Sequence, residues 1–411
     1  MPQAADHFAM LIHSLDGGGA GRRVVFLANA LAGSGRRVDL VVLDASGPLR
    51  SAVSPGVRVV PLCPGKPFPG VLRAFHVGRL ARYLAEDAPD LLMSGATTTH
   101  LLAVAACRRE GVPLVLRASR HPRRMIPWTA PARRLAERVR AHAARRGFGE
   151  ADAIIAVSAD VAAGLRALLG SRCPPIETIL NPITMPAGAD ADDPVEVSCE
   201  PLILGVGRLV RQKDFPTLIR AFALVRAGRP ARLALLGEGP RRGDLERLVR
   251  RLGIEPWVEM PGAVSDVGAW MRRARLLVST SLWEGLQATP IEAMMVGCPV
   301  VATDCPGGAR ETLEDGAVGP LVATGDVVGL AAAMCRVLDA LPDPARLRAS
   351  AARFDPEGKA QRYIEVFERV LENRRRVATS SISRTTSIAP TSPTAAPIAP
   401  MRGSRSKSNR A

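Results

Sequence analysis

Twice along this chain, short apolar runs alternate with stretches of helical spacing, and the alternation stops and restarts once. The first series opens with "HFAMLIHSL", a glycine-rich turn "DGGGAG", and "RRVVFLANALAGSG", which has helical spacing and a glycine stop. "RRVDLVVLD", "GVRVVPL", "PDLLMSG" and "VPLVLRAS" read as further strands, with "AFHVGRLARYLAEDA" and "THLLAVAACRREG" as helices between them. "ADAIIAVSADVAAGLRALLG" and "IETILNPIT" complete the series. Residues 185–200, "MPAGADADDPVEVSCE", are small, acidic and proline-containing, the composition of an interdomain linker. The alternation then resumes from "PLILGVGRL" to "GDVVGLAAAMCRVLDAL". Parallel strands need crossover helices, so this pattern predicts two α/β, doubly wound Rossmann-like domains, 8–184 and 201–355. Ligands of such sheets bind beyond the carboxyl ends of the strands.

The 411 residues suffice for two cores of ordinary size. No uncharged apolar run is long enough to span a bilayer, and "MPQAADHFAMLIHSLD" lacks the basic start and clean apolar core of a signal peptide. The seven cysteines are scattered without CxxC or metal spacing, so the expected compartment is the reducing cytoplasm. A net charge of +16 invites a nucleic-acid reading. Aromatics at only 4% supply few stacking platforms, however, and no recognition module is present. Residues 374–411 hold eight Lys/Arg and no acid in a Ser/Thr/Pro/Ala-rich stretch, which predicts a disordered basic tail.

Within "STSLWEGLQATPIEAMMVGCPVVAT", residues 279–303, Glu284 and Glu292 are the only charges. Glu284 falls past the strand "RLLVSTS", with Gly285 beside it. Pro290 suits a first helical turn, which puts Glu292 near that helix's amino end. One carboxylate on a loop and one at a helix start, with free amides between, suits a polyhydroxylated ligand bearing an anionic group. A helix-capping residue and a solvent-facing glutamate would give the same pattern.

Three blocks, in order, carry a family resemblance. "LDGGGAGRRVVFLANALAGSGRRVDLVVL", "GVGRLVRQKDFPTLIRAF" and "SLWEGLQATPIEAMMVGCPVVATDCPGGARETLEDGAVGPLV" resemble the retaining GT-B glycosyltransferases of family 4, over nearly all of 8–373. The resemblance implies a GT-B fold: two Rossmann-like domains facing a cleft, with a C-terminal helix, 356–373, returning to the first domain. It implies transfer of a sugar from a nucleotide diphosphate donor, expected to be a UDP-sugar, with retention and without metal or cofactor. Arg208 and Lys213 match the family's diphosphate-binding cations, Gly18 and Gly19 its glycine pair. Glu284 would bind the transferred sugar and Glu292 the ribose, with Val264 also on the nucleoside side. The backbone of Leu286, Gln287, Ala288 and Thr289 would hold phosphate oxygens. His121 stands where many relatives carry an active-site histidine, although Arg120 occupies the adjacent place and could take that role. "EGLQAT" replaces the family's "EGFG" or "EGLPN", so no donor-sugar preference carries over.

A Rossmann dinucleotide turn fits "GGGAGRR" poorly, because the third glycine is missing, and no P-loop follows. A nucleotide-sugar epimerase on the same scaffold would need a further acid/base pair of carboxylates. His13 and His100 read as structural, with His100 at a helix start near the acceptor side. Residues 117–146 hold ten arginines and one acid, Glu137, and read as a basic helix able to rest on an anionic membrane. That points to a lipid-linked or saccharide acceptor, and to a cytoplasmic protein at the inner face of the membrane. Nucleic acid is not an expected partner.

Overall fold

A computed structural model describes residues 6–16, 18–63, 73–122, 145–186 and 200–385. The N-terminal half forms one parallel sheet from β1 (His7–Ser14), β2 (Arg37–Asp44), β3 (Val57–Pro61), β4 (Leu91–Ser94), β5 (Leu114–Ala118), β6 (Ala153–Ala156) and β7 (Ile176–Thr178). Their order is β3-β2-β1-β4-β5-β6-β7. Crossovers run through α1 (Gly19–Gly33), α2 (Arg73–Asp87), α3 (His100–Glu110) and α4 (Ala159–Leu169). β4, β5 and β6 are buried along their whole length, which is why these strands read as unbroken apolar runs rather than alternating ones.

The second sheet orders its strands β10-β9-β8-β11-β12-β13, again all parallel. Its strands are β8 (Leu202–Val206), β9 (Arg232–Leu236), β10 (Val258–Gly262), β11 (Leu276–Ser279), β12 (Val300–Thr303) and β13 (Leu321–Val322). Around it lie α5 (Phe215–Gly228), α6 (Arg242–Leu252), α7 (Val267–Arg273), α8 (Ala288–Met295), α9 (Ala309–Thr312), α10 (Val327–Asp339) and α11 (Pro344–Ala351). Strand order reverses between β1 and β4 in the first sheet and between β8 and β11 in the second. The loops leaving those strands therefore diverge and open a crevice.

The last helix, α12 (Lys359–Thr385), returns to the first domain. Tyr363, Ile364, Phe367 and Val370 join the core built on Phe8, Met10 and Val24, and the Phe8 and Phe367 rings meet edge to face at 5.1 Å. The helix runs on to Thr385. It corrects the expectation of disorder from residue 374, because propagating an existing helix costs far less than nucleating one. Residues 386–411 lie outside the described part, as does most of the linker, 187–199.

Two buried charges tie the first domain together. Asp39 on β2 is fully buried and accepts from His7 Nε2 at 2.9 Å, Arg58 Nε at 2.8 Å and the Tyr83 hydroxyl at 2.6 Å. Burial alone would raise this carboxyl, but the bonds from Arg58, His7 and Tyr83 outweigh it and hold it well below the usual range. Arg117 on β5 is also buried. Its Nε donates to the Tyr363 hydroxyl at 3.1 Å, and its terminal nitrogens reach Gly95 O and Asn181 Oδ1. Arg117 therefore drops out of the basic stretch expected to face a membrane; residues 123–144 of that stretch lie outside the described residues. No helix among the described residues is long and apolar enough to cross a membrane.

Candidate active site

The loops leaving β8 and β11 are sewn together at the crevice. Leu282 N–H donates to Gln212 O at 2.8 Å, Gln212 Nε2 to Trp283 O at 2.9 Å, and Thr280 Oγ1 to Lys213 O at 2.8 Å. This stitching brings Lys213 Nζ to 2.8 Å from Glu284 Oε1, an oxygen that also accepts from Ser281 Oγ at 2.8 Å. Both side chains are largely buried, 21% and 13% exposed, so the pair is only weakly screened by solvent. Among the described residues, no hydrogen bond reaches the second Glu284 oxygen. Arg208, five residues earlier on the same loop, is exposed and has no ion-pair partner among them.

The Glu284 backbone is held from both domains. Its amide donates to Pro306 O at 2.9 Å, and its carbonyl accepts from His121 N–H at 3.4 Å. Next to it, a Cβ on Gly285 would lie 2.0 Å from Ser119 O of the first domain, and one on Gly307 would lie 2.0 Å from Glu284 O. Gly307 also has φ +99°, so glycine is required there twice over. The amides of Gly285, Leu286 and Gln287 bond to no other described residue. They form a short row of unbonded donors next to Glu284 in sequence, a pattern suited to anionic oxygens.

Glu292 is the fifth residue of α8, two residues deeper than a helix starting at Pro290 would put it and just past the first turn. It is partly buried and has no hydrogen-bond partner among the described residues. Burial pushes its carboxyl above the usual range, while Arg23, Arg22 and Lys213 oppose that rise. Two of those cations come from α1. Arg22 and Arg23 are the functional candidates that motif reading missed, and the doubled arginine directly after the glycine cluster was the available signal. Arg23 Nε is buried with no hydrogen-bond partner.

The remaining candidates fall in different places. Gly18 precedes α1 with ordinary φ −65°, and nothing lies within 4 Å of a Cβ built on Gly18 or Gly19. The described structure thus leaves open space there but does not itself demand glycine. The Gln287 side chain turns inward, donating to Cys305 Sγ at 3.3 Å, and the residue is buried. Ala288 and Thr289 open α8, and Leu286 is buried. Val264 lies past β10, half-buried against the core.

His121 is 5% exposed, its Nε2 lies 3.7 Å from Asp160 Oδ2, and a Cβ on Gly164 would press against its ring at 2.6 Å. Asp160 in turn accepts from Gly307 N–H at 2.6 Å, and Glu311 accepts from Ala159 N–H at 2.9 Å. His121 therefore helps join α4 to the loop after β12, along a cavity of about 750 Å³. His100, read as structural though at a helix start that could touch acceptor, is buried: its Nδ1 pairs with Ser94 Oγ at 2.9 Å, and burial holds it down at about 3, hence neutral. Among the described residues, no group of three or more His, Cys, Asp or Glu side chains is placed to hold a metal.

With this geometry established, comparison places the chain among known proteins. A family model described as glycosyl transferases group 1 matches residues 200–340, and one described as glycosyltransferase family 4 matches residues 17–185. The lipopolysaccharide core biosynthesis glycosyltransferase LpsD of Rhizobium meliloti is 29% identical over 386 residues, 89% of this chain and 99% of that protein. An N-acetylgalactosamine-N,N'-diacetylbacillosaminyl-diphospho-undecaprenol 4-alpha-N-acetylgalactosaminyltransferase of Campylobacter jejuni is 35% identical over 29% of this chain and 32% of that enzyme. An uncharacterized glycosyltransferase of Methanocaldococcus jannaschii is 36% identical over 27% of this chain. The match spans only 28% of that archaeal protein, well under two thirds of its length. Among solved structures, Anabaena HepE in complex with UDP-glucose superposes with TM-score 0.69 at 22% identity, over 88% of this chain and 99% of that one.

Proposed function

Because this chain belongs to the group 1 glycosyltransferases and has their GT-B fold, we propose that it moves a sugar from a UDP-sugar to a saccharide on a lipid carrier. The observation that carries this reading is the Lys213–Glu284 pair at the reversal point of the second sheet, followed in the chain by three amides without a partner among the described residues. Breaking a sugar–diphosphate bond develops charge on the departing oxygen. Fixed cations and amides aimed at that oxygen stabilise it without reorganising at the moment of reaction. In this reading Arg208, Lys213 and the amides of 285–287 take the diphosphate. The open oxygen of Glu284 accepts hydroxyls of the transferred sugar, and Glu292 accepts those of the ribose.

The donor class draws on HepE, whose structure holds UDP-glucose. The acceptor class draws on LpsD, which acts in lipopolysaccharide core biosynthesis, and on the Campylobacter transferase, whose acceptor is a diphospho-undecaprenol. Retention of anomeric configuration and independence of metal belong to the same proposal. Incubation with a panel of UDP- and GDP-sugars and lipid-diphosphate acceptors tests it, with released nucleoside diphosphate as the readout and the product anomer read by NMR. Release from no donor, with or without acceptor, would overturn the reading.

A further inference from the structure

The first turn of α4 holds an acid that its own helix does not use. Ser158 caps the helix by accepting from Val161 N–H at 3.2 Å, and Glu311 of the second domain accepts from Ala159 N–H at 2.9 Å. Asp160 instead gives its carboxylate to the other domain, where Oδ2 accepts from Gly307 N–H at 2.6 Å. The helix is anchored by Val161, Ala162 and Leu165, all buried, so Asp160 stands on a fixed platform. What it holds lies against Glu284. The Glu284 amide donates to Pro306 O at 2.9 Å, and a Cβ on Gly307 would meet Glu284 O at 2.0 Å. Backbone meets backbone there, so a shift of the loop at 306–308 carries Glu284 with it. His121 converges on the same place: its N–H reaches Glu284 O at 3.4 Å, and its Nε2 lies 3.7 Å from Asp160 Oδ2.

We infer that Asp160 is a positioning residue for Glu284, acting across the two domains through the backbone of 306–308. Its consequence for turnover rests on the proposed role of Glu284 toward the transferred sugar. A carboxylate that accepts from a backbone N–H makes a short, charge-assisted bond, stiffer than a neutral one. The other use of an acid here, complementing the positive end of the helix, is already served by Glu311. A group aimed at a reacting sugar must be held closely, because a misplacement of about 1 Å costs on the order of a hundredfold in rate. Asp160 touches neither donor nor acceptor in this reading. It fixes the wall on which Glu284 rests.

The test compares the full chain with Asp160→Ala and with Asp160→Asn, which keeps an oxygen for the Gly307 amide. Both variants are expected to fold with a near-parental unfolding midpoint, because Asp160 is half exposed and Ser158 still caps α4. Asp160→Ala is expected to lower kcat by at least about tenfold, with a far smaller change in UDP affinity. Asp160→Asn is expected to recover most of that loss. Amide hydrogen exchange, read by mass spectrometry, needs no donor: Asp160→Ala is expected to speed exchange across 282–287 and leave the body of α4 unchanged. A parent that releases UDP from no donor overturns the proposed function, and exchange still tests Asp160. Parental exchange at 282–287 in Asp160→Ala would overturn the inference. So would an Asp160→Asn variant as impaired as Asp160→Ala, since charge at the helix start would then be what matters.

Discussion

Lys213 and Glu284 sit 71 residues apart in sequence and 2.8 Å apart in space, joined because the loops after β8 and β11 exchange three hydrogen bonds at the point where strand order reverses. The contact keeps a cation and a carboxylate together at the crevice. Neither is spent wholly on the other, since the second Glu284 oxygen stays open.

If Arg208 and Lys213 hold the departing diphosphate, replacing either with alanine lowers kcat/KM for the donor by about 10²-fold or more. Arg208→Ala leaves the unfolding midpoint unchanged, because that side chain has no partner among the described residues. Steady-state kinetics with the best donor from the panel, alongside thermal unfolding, would check both. Near-parental rates in both variants would remove them from the site.

Gly285→Ala pushes a methyl to within 2.0 Å of Ser119 O, where backbone faces backbone and neither side chain can yield. The expected cost is about 1–3 kcal/mol together with lost activity, because Glu284 moves with its neighbour. Gly33→Ala meets nothing within 4 Å at the end of α1 and is expected to be neutral or stabilising by up to about 1 kcal/mol. Chemical denaturation of the two variants side by side separates steric conflict from generic glycine loss.

Glu292 gives a pH-dependent expectation of opposite sign for stability and binding. A carboxyl whose folded pKa lies above its unfolded value favours folding only while protonated, so its contribution falls as pH rises through the folded value. Glu292→Gln is therefore expected to gain stability over the parent as pH climbs from about 4 toward neutrality. It is expected to lose affinity for UDP relative to the parent. Thermal unfolding across pH, paired with UDP titration, reads both, and a variant less stable than the parent at neutral pH would contradict the account.

Asp39 runs the other way. Its folded value is depressed, so its contribution is present above the unfolded value, 3.8, and is lost as pH falls below it. Asp39→Asn is expected to cost about 2 kcal/mol at neutral pH. The gap to the parent should close as the solution is acidified. A gap independent of pH would mean that Asp39 contributes packing rather than charge.

The two-sheet plan was legible because buried parallel strands are apolar on both faces and their crossovers are amphipathic, so β4 or β8 with its helix announces itself locally. α11 (Pro344–Ala351) and α9 (Ala309–Thr312) were not read: short, arginine-interrupted segments carry little period. At the site, Lys213 and Glu284 could be read from loop position and family resemblance. Arg22 and Arg23 were signalled only as a doubled arginine after the glycines; their relation to Glu292 depends on how the two domains face each other. His100 was read as structural, and its ring packs on Phe148.

The edge-to-face contact of Phe8 with Phe367 has a temporal side. Phe8 is synthesised more than three hundred residues before its partner. At ordinary translation speeds that interval is roughly twenty seconds to over a minute. Throughout it, the nascent first lobe carries an unfilled apolar seam along its earliest strand. The second lobe, contiguous in sequence, can finish before the first is sealed.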